Sequence, residues 1–203
     1  MKMTIEERRG RLVAATLALI AREGVSGATA RAIVREADMP LGALHYAFPT
    51  MDALLEAAAD AVTDHERLAI ERSLASASTT LAGSLEAGMV GYVTLLIADP
   101  ARELAFLELM LHASRARLAG PPSPGRYAAS HALVEQLLIE AAERHAATWA
   151  TEPALLARHT VAMLDGITTG WLADHDDDAA YASARFHAAA IAAQAIGPEE
   201  EQC

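Results

Sequence analysis

Residues 37–50 read ADMPLGALHYAFPT. The stretch ends one helical pattern at Ala37, turns through Asp38 to Pro40, carries a second pattern for barely two turns, and stops at Phe48-Pro49. Pro49 lacks a backbone N–H and cannot continue a helix. Within the short segment Leu44 and Phe48 lie one turn apart and point to the same side, whereas His45 and Tyr46 fall elsewhere on the helix. Such a segment is anchored along one edge and offers the other to something outside the chain.

Working upstream, Thr4-Ile5-Glu6-Glu7 fits a capping box, with the Thr4 hydroxyl on the Glu7 N–H and the Glu7 carboxylate reaching back. Leu12, Ala15, Thr16, Leu19 and Ile20 then follow one helical face, and Gly24 supplies a natural C-terminal stop. Thr29 caps a second, short helix whose inward positions are Ile33, Val34 and Ala37. Three helices with a tight turn between the second and third form a helix-turn-helix unit, whose third helix lies in the DNA major groove. This places a small head at residues 1–49.

Downstream, residues 50–72 read as a long Ala-rich helix with Leu54, Leu55, Ala58, Val62, Leu68 and Ala69 near one stripe, and Ser76, Ser78, Thr79 and Thr80 mark a join. Further helices are predicted at 81–98, 101–118, 127–149, 153–173 and 178–196. Asp99-Pro100, Thr151-Glu152-Pro153 and Asp176-Asp177-Asp178 supply caps and first-turn acids, and AGPPSPG at 119–125 is the one extended loop. The expectation is an all-α chain of about nine helices, with a second domain over 50–197 and a disordered tail at 198–203. No internal repeat and no strand with period-2 alternation is visible.

Composition agrees with helices. Of the 203 residues 53% are hydrophobic and only 4% aromatic, with Ala and Leu abundant. The charged N-terminal segment is unlike a signal peptide, and no run of roughly 18 uninterrupted apolar residues suggests a membrane span, so the expected location is the cytoplasm. The lone cysteine, Cys203, can form no internal disulfide. The net charge of −11 is unevenly spread: residues 1–50 hold seven Lys/Arg against five acids, which is +2, leaving −13 for the rest. A mildly basic head suits a polyanion, and an acidic body limits nonspecific adhesion.

The joint spacing of Leu12-Val13-x-Ala15-x-x-x-Leu19-Ile20-x-x-x-Gly24, Thr29-x-Arg31-x-Ile33-x-x-x-Ala37 and Gly42-x-Leu44-x-Tyr46-x-Phe48-Pro49-x-x-x-x-Leu54 resembles the TetR family of transcriptional regulators. It covers about a quarter of the chain. The resemblance implies a homodimeric regulator, a repressor, that binds a palindromic double-stranded DNA operator and is released by a small-molecule effector. By position it implies DNA contacts from Thr29, Arg31, Leu41, Gly42, Ala43, His45, Tyr46 and Thr50. Arg31 and the Tyr46 hydroxyl suit phosphate oxygens, Leu41 and Ala43 suit thymine methyls, and His45 suits a base edge. The family usually has Gly at Asp38, Ser at Pro40, Lys at Leu41, Thr at Ala43, Tyr at His45 and Lys at Met51, so the usual phosphate-binding Lys is missing.

Large apolar residues spread over the later helices, Met89, Tyr92, Leu96, Phe106, Met110, Leu137, Met163 and Trp171, are core by default. The resemblance makes them candidates to line an effector cavity, for a mostly apolar ligand with one or two polar handles. It also implies a four-helix dimer interface from the last two helices, with Val161, Leu164, Ile167, Ile191 and Ile196 on their apolar faces. Asp174-His175-Asp176-Asp177-Asp178 carries metal-type ligands but reads better as a helix end and the next helix's cap. No His-x-x-x-His or Glu-x-x-His pair, nucleophile elbow or phosphate-cradling Gly loop is present. The expectation is therefore no enzyme, no cofactor and no metal. The rival readings are a ligand-binding protein without operator recognition, and a metal-dependent helical enzyme using residues 174–178.

Overall fold

The computed structural model describes residues 3–75, 78–118 and 127–197. Its elements are α1 (Ile5–Glu23), a single 3-10 turn (Val25–Gly27), α2 (Ala30–Glu36), α3 (Leu41–Ala47), α4 (Met51–Ala75), α5 (Leu81–Ala98), α6 (Pro100–Leu118), α7 (Tyr127–Arg144), β1 (Thr148–Trp149), α8 (Pro153–Asp174), α9 (Asp177–Ala192) and β2 (Ala195–Ile196). The class is all-α, as expected. The 119–125 loop, Ser76, the 198–203 tail and Cys203 lie outside the described residues.

The described residues divide into two compact units. One is drawn from Met1–His65 and Asp99–Ser123, the other from Glu66–Ala98 and Pro124–Cys203. The first unit thus holds more than the expected 1–49 head, because α6 packs on α1 and on the 3-10 turn. The Glu108 carboxylate of α6 accepts from the Val25 N–H at 3.2 Å. At Gly24 the positive φ of 72° favours glycine, while an added Cβ would meet the same carboxylate at an ordinary contact distance of 3.4 Å.

In the head, α1 buries Leu12, Ala15, Thr16, Leu19 and Ile20, the stripe read from spacing. The Thr4–Glu7 capping box is present in both directions, at 2.7 and 3.1 Å. Ile33, Val34, Ala37, Leu44, Ala47 and Phe48 complete the head's core. On α4, Leu54, Ala58, Ala59 and Val62 are fully buried, whereas Leu68 is exposed.

The second unit has α9 packed along α5 and α8, and α7 along α8. One apolar cluster gathers Leu85, Leu138, Ala141, Leu156, Ala157, Ala188 and Ile191, and a second gathers Val93, Leu96, Ile167, Trp171, Ala180 and Ala184. By length and composition α5 could cross a membrane, with a mean hydropathy of 1.5 over 18 residues, although Ser84 and Glu86 interrupt its apolar run. Here it packs among α7, α8 and α9, and its one charge, Glu86, pairs with Arg185 of α9 at 3.3 Å.

Two boundaries differ from expectation. The helix predicted to 149 ends at Arg144, where Ala146 takes the left-handed conformation (φ 52°) and the Ala147 N–H returns to the Ala142 carbonyl at 3.0 Å. The helix predicted to 196 ends at Ala192. The freed residues form a minimal antiparallel pair, Thr148 opposite Ile196 and Trp149 opposite Ala195. Helix propensity in these Ala-rich segments is overridden by packing, since the turn lets the Trp149 indole donate to the Leu138 carbonyl at 3.1 Å and sit against the core.

Candidate DNA interface and effector cavity

The turn at Asp38 is built without its usual glycine. Asp38 adopts φ 51°, its N–H bonds the Arg35 carbonyl at 3.2 Å, and the Met39 N–H reaches back to the Val34 carbonyl at 2.8 Å. This double closure is a Schellman motif, with Asp in the left-handed position. Pro40 then serves as the N-cap of α3 without a side-chain hydrogen bond.

On α3, Leu44 and Ala47 face inward and Phe48 follows them into the core, whereas Leu41, Gly42, His45 and Tyr46 are exposed and Ala43 is half-buried. Tyr46 is 72% exposed, far more than a ring recruited for the core. Nothing lies within 4 Å of the position a Cβ on Gly42 would take, so no intrachain contact requires glycine there. Thr29 and Thr50 are the exposed caps of α2 and α4, accepting from the N–H groups of Ala32 at 3.3 Å and Ala53 at 3.1 Å. Each cap uses a lone pair of the hydroxyl and leaves its proton able to meet a phosphate oxygen. Arg31 is exposed as well. All eight residues singled out for DNA therefore lie in or beside α2 and α3, with their outer sides uncovered by their own chain.

Two arginines of α1 touch the same helix. The Arg9 Nη1 donates to the Ala47 carbonyl at 2.7 Å, and its guanidinium lies 4.2 Å from the centre of the Phe48 ring. It caps the C-terminus of α3, where a cation meets unpaired carbonyls and the negative end of the helix dipole. The Arg8 guanidinium lies 5.4 Å from the centre of the Tyr46 ring.

The second unit contains a pocket enclosing about 440 Å³ of empty space, open solvent included, lined by Ile70, Leu85, Gly88, Met89, Tyr92, Val134, Leu137, Leu138, Thr160 and Leu164. Its walls are mostly apolar. Its polar groups are the Tyr92 hydroxyl, 2.6 Å from the Thr168 Oγ1, and the Thr160 Oγ1, 3.2 Å from the His187 Nε2. Burial holds the His187 imidazole below its ordinary pKa, and nearby His159 adds to the effect. Thr160 thus lines the pocket with buried His187 behind it, and burial favours the uncharged form of that imidazole.

Of the residues proposed from sequence to line a cavity, Met89, Tyr92 and Leu137 do so here. Leu96 and Trp171 are core, with Met163 packed beside them. Phe106 and Met110 lie on α6, in the first unit. Side-chain size marks large apolar residues without saying which space they fill. Thr160 and Thr168 were not among the candidates, although two hydroxyls on the otherwise apolar inward stripe of α8 are a readable sign of polar handles.

The dimer residues proposed from sequence are spent within the subunit. Val161, Ile167 and Ile191 are buried, Leu164 lines the pocket, and Ile196 belongs to β2. The outward faces of α8 and α9 instead carry Leu155, His159, Ala162, Gly166 and Gly170, and Ala182, Phe186, Ala189 and Ala193. In the acidic run, Asp176 caps α9 by accepting from Ala179 at 2.9 Å, and Asp177 accepts the Trp171 indole N–H at 2.7 Å. Asp174 accepts from the Asp176 N–H at 3.0 Å, and the His175 ring meets Trp171 edge-on. Among the described residues no group of three or more His, Cys, Asp or Glu is placed to hold a metal ion.

The model of the family described as bacterial regulatory proteins, tetR family, matches residues 12–58, the stretch that holds α2, α3 and most of α1. Over those residues the chain carries the N-terminal domain of the TetR family. Over 177 residues it is 28% identical to the nicotine-responsive transcriptional repressor HdnoR of Paenarthrobacter nicotinovorans, covering 87% of this chain and 90% of that one. Its structure is similar to the multidrug binding protein EbrR in complex with ethidium, at TM-score 0.63 and 26% identity over 89% of this chain and 98% of that one. It also shares the fold of SmeT, the repressor of the SmeDEF efflux pump of Stenotrophomonas maltophilia, at TM-score 0.66 and 19% identity over 94% and 91% of the two chains.

Proposed function

We propose that this protein is a homodimeric, cytoplasmic repressor of the TetR family that places one α3 in each half-site of a palindromic operator and releases it on binding a small, mostly apolar effector. The observation that carries the reading is the two-sidedness of α3. Leu44, Ala47 and Phe48 fasten it to the head, and His45 and Tyr46 are left outward with no intrachain task that buries them. Two such helices in a dimer would sit about one DNA turn apart, roughly 34–36 Å, or at a related spacing.

The pocket supports the effector half of the reading. Its apolar walls and hydroxyl pairs suit an uncharged molecule with a hydrogen-bonding group, and HdnoR and EbrR are both named for small-molecule response or binding. An effector can release DNA only by binding one state of the dimer better than the other.

The dimer half rests on Gly166 and Gly170. Both are exposed in the middle of α8, with nothing within 4 Å of an added Cβ. Each weakens the helix by about 1 kcal/mol relative to Ala with no return inside the subunit, whereas close approach by a second copy's helix would use the space. Phe186, 72% exposed on α9, would then be covered.

The test is a mobility-shift titration on the promoter beside the protein's own gene. The His45→Ala, Tyr46→Ala double variant should weaken operator affinity by roughly a hundredfold or more, because each subunit then meets its half-site without those base and phosphate interactions. Its far-UV spectrum and melting temperature should stay near wild type, since neither side chain is core. Retained affinity in that variant would remove α3 as the reading helix.

A further inference from the structure

We propose that Arg8 of α1 is a phosphate anchor of the DNA-reading surface in addition to Arg31, placed over the ring of Tyr46. The proposal rests on the reading of α3 as the DNA-contacting helix. From Glu36 to Glu66 the sequence contains no Lys or Arg, so α3, the turn before it and the start of α4 carry no permanent cation of their own. A surface that approaches a polyanion needs one from elsewhere, because phosphate neutralisation supplies most of the sequence-independent affinity.

Arg8 fills that gap. Its guanidinium lies 5.4 Å from the centre of the Tyr46 ring, which is 72% exposed, so α1 extends a cation onto α3's outer face. No carboxylate among the described residues lies within ion-pair distance of it. The nearest acid in sequence, Glu7, is committed to the capping box, its carboxylate accepting from the Thr4 N–H at 2.7 Å. The neighbouring Arg9 is spent on the Ala47 carbonyl and Phe48, and Arg22 on Glu23 and Glu36. A cation–π contact at this distance makes no hydrogen bond to the ring's neighbours and uses up none of the guanidinium's N–H groups. The edge N–H groups stay free for the paired, fork-like hydrogen bonds that arginine makes to phosphate. Tyr46 thereby acts twice, as a contact through its hydroxyl and as the shelf that aims Arg8.

The experiment compares wild type, Arg8→Ala, Arg8→Lys and Arg9→Ala in salt titrations on two duplexes of equal length, the gene's own promoter and a random sequence. Each phosphate contact contributes about 0.9 to the slope of log K against log salt, so Arg8→Ala should flatten that slope by about 2 per dimer on both duplexes. Between 50 and 200 mM salt the wild type's advantage should shrink by roughly tenfold. Arg8→Lys should recover most of the slope, because the charge returns, but less of the affinity, because the fork and the stack do not. Arg8→Ala should leave the melting temperature near wild type, whereas Arg9→Ala should lower it. An Arg8→Ala slope equal to wild type on both duplexes overturns the proposal, as does a loss of affinity that follows a fallen melting temperature. A wild type that binds both duplexes equally, with its slope still dependent on Arg8, would refute the operator assignment alone. No duplex binding by wild type at any salt refutes both.

Discussion

At the scale of single residues, three described positions hold a left-handed backbone without glycine, Asp38, Ala146 and His175, and the first two do so for different returns. Ala146 closes α7 with φ 52°, and alanine gains nothing from that conformation, which costs an L-residue roughly 1–2 kcal/mol. Ala146→Gly should therefore stabilise the protein by roughly 0.5–1 kcal/mol after the added freedom of the unfolded chain is subtracted, read as a higher urea midpoint at an unchanged m-value. Asp38, at φ 51°, tolerates the region better, so Asp38→Gly should stabilise less. Its larger effect should be on DNA. Asp38 is exposed in the turn that opens onto α3, and removing its charge should tighten binding to any duplex, most visibly at low salt. Equal affinities for Asp38→Gly and wild type at low salt would show that this turn stays clear of the phosphates. Arg9 and Arg8 make the same point about position. Adjacent in sequence and identical in chemistry, they separate into a cap on the Ala47 carbonyl and a cation over the Tyr46 ring because a helix turns about 100° per residue.

At the scale of elements, α8 and α9 meet through a buried polar pair that should make stability depend on pH. His187 is 6% exposed and bonded to Thr160, with His159 as the nearby titratable group and burial as the main reason its pKa is depressed. A histidine whose pKa is lower folded than unfolded binds more protons when unfolded. Stability therefore rises with pH across the window between the two values and is lost as pH falls through the ordinary histidine range near 6.5. His131, lowered mainly by desolvation and then by Arg158, adds to the same slope. The melting temperature should fall between about pH 7.5 and 5.5, and His187→Gln, which keeps a hydrogen-bonding group and removes the titration, should flatten part of that fall. Equal slopes in variant and wild type would place the pH dependence elsewhere.

The same two helices show what spacing can and cannot disclose. The α1 stripe was legible because the capping box at Thr4–Glu7 and the stop at Gly24 fix the helix's ends, and Leu12, Ala15, Thr16, Leu19 and Ile20 recur on one face between them. On α8 and α9 alanine and glycine occupy inward and outward positions alike, and the choice of Val161, Ile167 and Ile191 as an intersubunit face followed side-chain size onto the side that the subunit itself buries. The end of α7 was hidden for a related reason. His145-Ala146-Ala147 contains no helix breaker, and what stops the helix is the return of Trp149 to the Leu138 carbonyl, a contact that local sequence does not announce.

At the scale of the whole molecule, repression as proposed needs two α3 helices on one duplex, so a monomer with an intact head should fail. A single head contributes only its own few base and phosphate contacts, and joining two on one scaffold makes the second binding event intramolecular, raising affinity by about 10²–10⁴ without any new contact. The outward face of α8 and α9 is where that coupling would be made. Phe186 stands 72% exposed among Ala182, Ala189 and Ala193 on α9. Covering such a ring is worth about 1.5–3 kcal/mol per subunit. Phe186→Glu replaces that gain by a charge facing its symmetry mate, and the variant should sediment as a monomer where wild type sediments as a dimer. The substitution is on the surface, so each subunit should keep its helical spectrum. Operator affinity should drop by at least the lost avidity, while any effector found for the pocket should still bind, because Phe186 is not among the pocket's lining residues. A Phe186→Glu protein that remains dimeric would move the interface off this face. One that is monomeric yet represses normally would contradict the two-headed mechanism itself.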